Sequence, residues 1–495
     1  MSVRPLQKTG QPPSNNIVSN TYKSCFVKRH GWRAYMQATV APEVVTGPPR
    51  LVANEADVTQ GWPSPVAAYF ALAVITFATF LNFFDAAAFG LLVDPIKNEF
   101  HLSNIQMGWL TGPANIVFYL VVLLPLSRMA DIYPRKIVLS VGVFFIAIMN
   151  ATGGLVTGFW TLFGSRMLVG AGGSAHAPSA YSLLSDSFPP TRRALPFSLL
   201  QFGFILAASF GVLIAGHLYG WVSTWPATEF AGISVHSWKY LLLILAIPGI
   251  ATSLLMLFIN EPARKGVIGQ GDPLPFKTVL TELWQRRQVY GPLFISLGFS
   301  TMNALAVPAW TAPLMTRTYH WRIQDIGNYL APMFLTAQIA GLIVGPIVVN
   351  WLGKKYKDAN IRATFIFLLI ALPFGIVAPM MPNGILCLAC YALVSACGIA
   401  SAAPQNLAIQ LITPNQMRGQ ITGLYLMMFT GFGMMGPLLV GIFIDKTFGQ
   451  DADVWKALVL TGILLWPPAV YFMFRAIKPY GEEVVRLDAV AGTAA

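Results

Sequence analysis

The stretch Pro65–Val93 reads PVAAYFALAVITFATFLNFFDAAAFGLLV. As a helix it is long enough to cross a bilayer, which takes about 20 apolar residues. One carboxylate, Asp85, interrupts it. A charge at that depth costs roughly 3 kcal/mol or more unless it is neutralised, paired or hydrated. An acid kept in hydrocarbon is by default a functional group, so this run marks a membrane protein and its first candidate site residue.

Composition extends the reading to the whole chain. The 495 residues are 55% hydrophobic and 11% charged, and the mean hydropathy is +0.60. A soluble domain carries roughly 25% charged residues. The net charge of +12 does not read as nucleic-acid binding, because the cations sit in short loops between apolar runs. Cys25 lies in a polar segment, and Cys387, Cys390 and Cys397 share one apolar run. Without a second cysteine pair or a histidine, those three read as helix packing rather than a metal knuckle. No secretory signal is recognisable, and Met36 is an alternative start. Residues 1–64 are polar and expected to be a disordered tail.

About twelve runs can span, at 66–92, 107–127, 137–157, 160–186, 195–219, 237–259, 289–314, 326–349, 362–381, 384–412, 421–445 and 455–475. They are numbered spans 1–12. Loops on the tail side carry Arg128, Arg135, Lys136, Arg192, Arg193, Arg264, Lys354, Lys355 and Arg418. Opposite loops carry fewer cations, among them Lys97, Arg317, Arg322 and Lys446. The excess predicts a multi-pass protein of the plasma or inner membrane with both termini cytoplasmic. The expected organisation is a tail (1–64), a six-helix bundle (65–259), a linker (260–288), a second six-helix bundle (289–475) and a C-terminal tail (476–495). In the linker, Phe276, Val279, Leu280, Leu283 and Trp284 recur at helical spacing, which predicts an amphipathic helix on the inner membrane surface.

The halves repeat. A shift of 219 lays Gly108 on Gly327, Asp131 on Asn350, and Arg135-Lys136 on Lys354-Lys355. A shift of 225 lays Arg193 on Arg418, Gly211 on Gly436 and Gly216 on Gly441. Paired six-span repeats are the signature of a secondary transporter that rocks around a central site. The predicted fold is all-α, with twelve transmembrane helices in two pseudo-symmetric six-helix bundles.

Several motifs sharpen this. SRMADIYPRK after span 2 keeps Asp131, Arg135 and Lys136 of a pattern whose second copy, PIVVNWLGKK, supplies Asn350, Lys354 and Lys355. An acid and cations at helix ends can latch the bundles in one state. Span 4 holds RMLVGAGG, with Arg166, Gly170 and Gly172. These motifs, with LNFFD and QLITPNQMRGQITGLYLMMF, resemble the spinster-like branch of the major facilitator superfamily. The resemblance covers about 66–475 and implies proton-linked or facilitated movement of amphipathic organic solutes. Two positions depart from it. Ala86 stands where that branch has Arg after the span 1 Asp, and Gly173 stands where it has Glu.

Depth places the remaining polar groups. At about 1.5 Å per residue, Asp85 and Arg166 each lie roughly 10 Å from midspan on the same side. They are the candidate proton and substrate coupling pair, with Asn82 one turn away as a donor. A permanent structural ion pair is the plain alternative. His176 lies one turn from Gly173 and could titrate near neutral pH, at a depth roughly 13–15 Å from Asp85. The second half offers Asn303, Trp310, Gln405, Gln410 and Tyr425 as a polar, uncharged cavity lining. One cation is too few for a doubly anionic solute, which needs several to offset desolvation. The expected cargo is therefore a neutral, monoanionic or amphipathic solute, with protons as a possible co-substrate and no cofactor or metal. The expected protein is a monomer among membrane lipids and not an enzyme, since no phosphate loop or nucleophile–base set is present. Two other readings stand beside it: a proton-linked importer of sugar-acid-type monoanions, and a non-transporting membrane receptor.

Overall fold

The structure is a computed structural model and describes residues 62–492, except 231, 263, 265–275 and 414–416. The expected disordered tail therefore lies almost wholly outside the described residues. Among these residues, eleven helices are long and apolar enough to cross a membrane. The twelfth predicted span falls below that length because it is broken. Span 4 runs as Phe159–Ser174 and then His176–Ser187. Pro178 explains the break: it has no N–H to donate to the Ser174 carbonyl one turn back. The same spacing recurs twice. Span 1 ends at Leu91, four residues before Pro95. Span 11 breaks after Gly433, four residues before Pro437. Pro308, Pro332 and Pro404 sit inside unbroken helices.

The helix pairings carry the repeat seen in the sequence. Span 1 (Pro65–Leu91) packs on span 5 (Ala194–Val222) as span 7 (Arg287–Tyr319) packs on span 11. Spans 2 and 4 pair as spans 8 (Ile323–Gly353) and 10 (Gly384–Ile412) do. The halves meet at two related seams, span 2 on span 11 and span 5 on span 8. Glycines make both seams possible. A Cβ on Gly327 would stand 2.5 Å from the Leu213 Cα, and one on Gly441 would stand 2.3 Å from the Asn104 carbonyl oxygen. Both neighbours are backbone and cannot swing aside. Gly441→Ala is expected to cost about 1–3 kcal/mol by overpacking, seen as a lower thermal midpoint in detergent. A midpoint equal to the parent's would mean that the seam is not held this closely.

Two features were not foreseen. A short hairpin, Thr228–Phe230 against Ile233–Val235, joins spans 5 and 6, and Gly232 at its turn has φ +78°. Span 11 ends in a π-helical turn, Phe443–Phe448. The linker helix covers Phe276–Gln285, with Val279 buried and Leu280 and Trp284 exposed. The guanidinium of Arg287 lies 5.5 Å from the Trp284 ring.

Candidate functional site

Span 1 presents Thr79, Asn82 and Asp85 at three-residue spacing, which aligns them along one helix face. Span 4 answers with His176, Gly173 and Arg166. Asp85 Oδ2 forms an ion pair with Arg166 Nη2. The acid is 4% exposed and the guanidinium 2%. Asn150 of span 3 (Arg135–Gly153) accepts from Arg166 Nη1 at 3.2 Å. Phe89 lies beneath the guanidinium, 4.3 Å from ring centre to Cζ, a cation–π contact that strengthens when desolvated. Among the described residues, Asp85 Oδ1 finds no hydrogen-bond partner. Removing one partner from such a pair leaves a buried charge with no counter-charge.

The other candidates in this half occupy separate levels. Asn82 faces Gly173, where a Cβ would lie 3.6 Å from its Oδ1. The absent family carboxylate would thus begin beside this amide. His176 does not reach Asp85. Its Nε2 lies 2.8 Å from Thr79 Oγ1. The Thr79 hydroxyl already donates to the Ile75 carbonyl at 2.9 Å. Having one proton, it must accept from an Nε2–H. That assignment leaves His176 Nδ1 as a bare acceptor, with no partner among the described residues.

In the second half, the Tyr425 hydroxyl donates to Gln405 Oε1 at 3.3 Å, and Gln410 donates to Asn406 at 3.0 Å. Asn303 is buried, and its Nδ2 has no partner among the described residues. Trp310 is fully buried, and its indole N–H donates to the Pro437 carbonyl at 2.9 Å. That contact locks span 7 to span 11 and uses the polar atom a solute would have met.

On the tail side, the Asp131 side chain lies outside the described residues. Arg135 is 1% exposed and binds Glu261 at 3.1 Å, the Ser182 hydroxyl at 3.0 Å and the Pro262 carbonyl at 3.0 Å, with an ion pair to Asp186. Lys136 donates to the Leu257 and Ile259 carbonyls at 3.1 and 3.0 Å. These cations tie spans 3, 4 and 6 within the first half rather than latching one half to the other. Their second-half counterparts differ. Asn350, Lys354 and Lys355 are exposed, and among the described residues neither lysine forms an ion pair. The Lys355 ammonium stands 5.4 Å from the Tyr356 ring.

A stronger joint lies on the opposite side. Arg317 at the end of span 7 binds Asp94, just after span 1, at 2.6 and 2.9 Å. It also donates to Asn104 Oδ1 at 3.0 Å. Asn104 in turn donates to Asp445 and Asp451, each at 2.7 Å. The Ile105 amide donates to Asp445 at 2.8 Å, and Lys97 pairs with Asp451. Asp94, Lys97 and Asn104 belong to the first half, and Arg317, Asp445 and Asp451 to the second. In the sequence, Lys97 and Arg317 read only as topology signals. Spacing cannot show that residues 97 and 451 meet.

A repeated bundle of membrane-crossing helices around a buried ion pair is the architecture of a multi-pass membrane transporter. The chain belongs to the Major Facilitator Superfamily, whose sequence pattern matches residues 75–437. It is a transporter rather than an enzyme, and the spinster-like resemblance holds. It is 23% identical to an MFS-type efflux pump of Mycolicibacterium smegmatis over 77% of this chain and 86% of that protein. It is 23% identical to Protein spinster homolog 1 of Xenopus laevis over 59% of this chain and 55% of that one. Among solved structures it resembles a bacterial homologue of the human lysosomal transporter spinster, in an inward-facing and unoccupied conformation. That likeness has a TM-score of 0.71 at 20% identity and covers 86% of this chain and 99% of the other.

Proposed function

We propose that this transporter moves a small amphipathic, neutral or monoanionic organic solute by alternating access, coupled to protons through Asp85. The halves 65–259 and 289–475 rock about the seams between them, joined by the 260–288 linker, with both termini cytoplasmic. The observation that carries the reading is the Asp85–Arg166 pair, 4% and 2% exposed. As paired, the two charges cancel, and Arg166 is spent. A proton on Asp85 removes the counter-charge and frees the guanidinium for a carboxylate or a polar headgroup. Loading a monoanion together with a proton adds no net charge to the bundle. Deprotonation restores the pair and expels the solute. One guanidinium, facing only uncharged cavity candidates from the second half, supports a single negative charge at most.

Asn82 steadies the acid, and His176 with Thr79 forms a second polar level between spans 1 and 4. Gln405, Gln410, Tyr425 and Asn303 supply neutral donors and acceptors to the solute, and Trp310 shapes their support. The Arg317–Asp94–Asn104 network closes the side away from the tails. Arg135 and Lys136 brace the first half as a rigid body, while Asn350, Lys354 and Lys355 face the cytoplasm. The alternative within transport is a proton-linked importer of sugar-acid-type monoanions.

A thermal-shift screen of the purified chain at two pH values tests it, with lipids, steroids, aromatic acids and sugar acids as probes. A ligand that binds only the folded state raises its melting point in proportion to occupancy. A monoanionic or neutral amphipathic ligand, stabilising more at the lower pH and exchanged by proteoliposomes, is the expected result. A ligand that binds without exchange would point to a receptor.

A further inference from the structure

Spans 1, 3 and 6 enclose a cavity of about 20 Å³ lined by Ala78, Asn82, Asp85, Ala147, Asn150 and Gly249, among others. One water molecule needs about 10–15 Å³ on the same measure, and two to four polar partners. The partners are present. Asp85 lines the cavity, and its Oδ1 is the oxygen left over after Arg166 takes Oδ2. Asn150 spends its oxygen on Arg166, and its Nδ2 makes no hydrogen bond among the described residues. Asn82 brings a second amide to the same wall. A water here has Asn150 Nδ2 to accept from, Asp85 Oδ1 to donate to, and the Asn82 amide as a third polar neighbour. An ionised carboxylate oxygen buried without a donor is otherwise costly.

The same geometry decides how Asp85 gains its proton. Oδ2 faces a guanidinium, which does not release protons in proteins. Oδ1 is the oxygen open to protonation. The lining residues from spans 3 and 6 bring no ionisable group, and span 4 brings only Arg166. We propose that one water bound by Asp85, Asn150 and Asn82 in this cavity delivers the coupling proton to Asp85 Oδ1. In the step, an O–H bond of a transient hydronium breaks as the carboxyl O–H forms, and a neutral water stays in place. This rests on the coupling role assigned to Asp85 under the proposed function.

Two measurements on the full chain test it. A density map of the parent protein fine enough to resolve waters should show one within about 3 Å of Asp85 Oδ1. A map of that quality with no such density would overturn the proposal, whether or not any variant folds. The second is stopped-flow proton uptake after an acid jump, read by a soluble pH dye with no solute present. Ala78 is 1% exposed and lines the cavity, so Ala78→Val fills the space. The Asp85-dependent uptake, defined as the parent signal minus that of Asp85→Asn, should slow by about a hundredfold, the contribution typical of a positioned proton-transfer group. An unchanged rate would overturn the relay. If Asp85→Asn takes up protons as the parent does, the coupling reading itself falls. If it does not, and Ala78→Val matches the parent, only the water inference falls.

Discussion

Asp85→Ala is expected to destabilise the folded protein by about 3–5 kcal/mol, the usual cost of stranding one member of a buried ion pair. The stranded group is Arg166, 2% exposed, with only the Asn150 oxygen and the Phe89 face left to it among the described residues. Arg166→Ala should cost less, and less still at low pH. A stranded carboxylate can be neutralised by a proton, and a guanidinium cannot. The double variant should recover most of the loss, because a buried pair replaced by apolar groups is often near neutral in stability. Thermal melting of the four proteins in detergent reads this cycle. If the two single costs simply add in the double variant, the groups are not coupled and the ion pair is not a unit. A recovered fold without pH-linked transport separates a working pair from a merely structural one.

Arg317→Ala is expected to shift the conformational equilibrium. Arg317 holds Asp94 through two donors and Asn104 through a third. Losing one partner of a desolvated, hydrogen-bonded charge pair between packed surfaces costs about 2–5 kcal/mol. That cost falls only on the state in which this side is closed. About 2.8 kcal/mol is a hundredfold change in population. Spin labels at the exposed positions Thr224 and Gln450 span the two halves on this side. In the parent protein the shorter separation should dominate. Arg317→Ala should add a longer one, and Asp94→Asn a smaller share of it, since Asn104 still holds Arg317. A distance distribution identical to the parent's would show that the network decorates the closed state without holding it.

What the sequence disclosed follows from what periodicity can carry. Apolar length located the spans, and the repeat located the seam glycines, because Gly108, Gly327, Gly216 and Gly441 serve equivalent crossings in the two halves. Depth counting set Asp85 level with Arg166, and the structure pairs them. Depth says nothing about rotation, so it could not show that Asn150 and Phe89 complete the pair. His176 was legible as a buried polar group, but its partner, Thr79, reads as an ordinary helical residue. The tail-side cations read both as topology signals and as a latch between the bundles, and the acids that bind Arg135 were overlooked. Asp186 and Glu261 sit at span ends, where a search for buried acids does not look. The Asp94–Arg317 and Lys97–Asp451 pairs join residues far apart in the chain, and no local pattern announces them. Pro178 marks a place where span 4 can bend but does not show that it breaks there, since Pro308, Pro332 and Pro404 lie inside unbroken helices.

The most direct test of the account is solute movement by Asp85→Asn in proteoliposomes. This variant keeps an acceptor oxygen for Arg166 while losing the titrating group. With a solute found in the ligand screen, it should still exchange labelled for unlabelled molecules across the membrane. It should fail to accumulate that solute against its gradient when a pH difference is imposed. Accumulation equal to the parent's under the same pH difference would contradict the account.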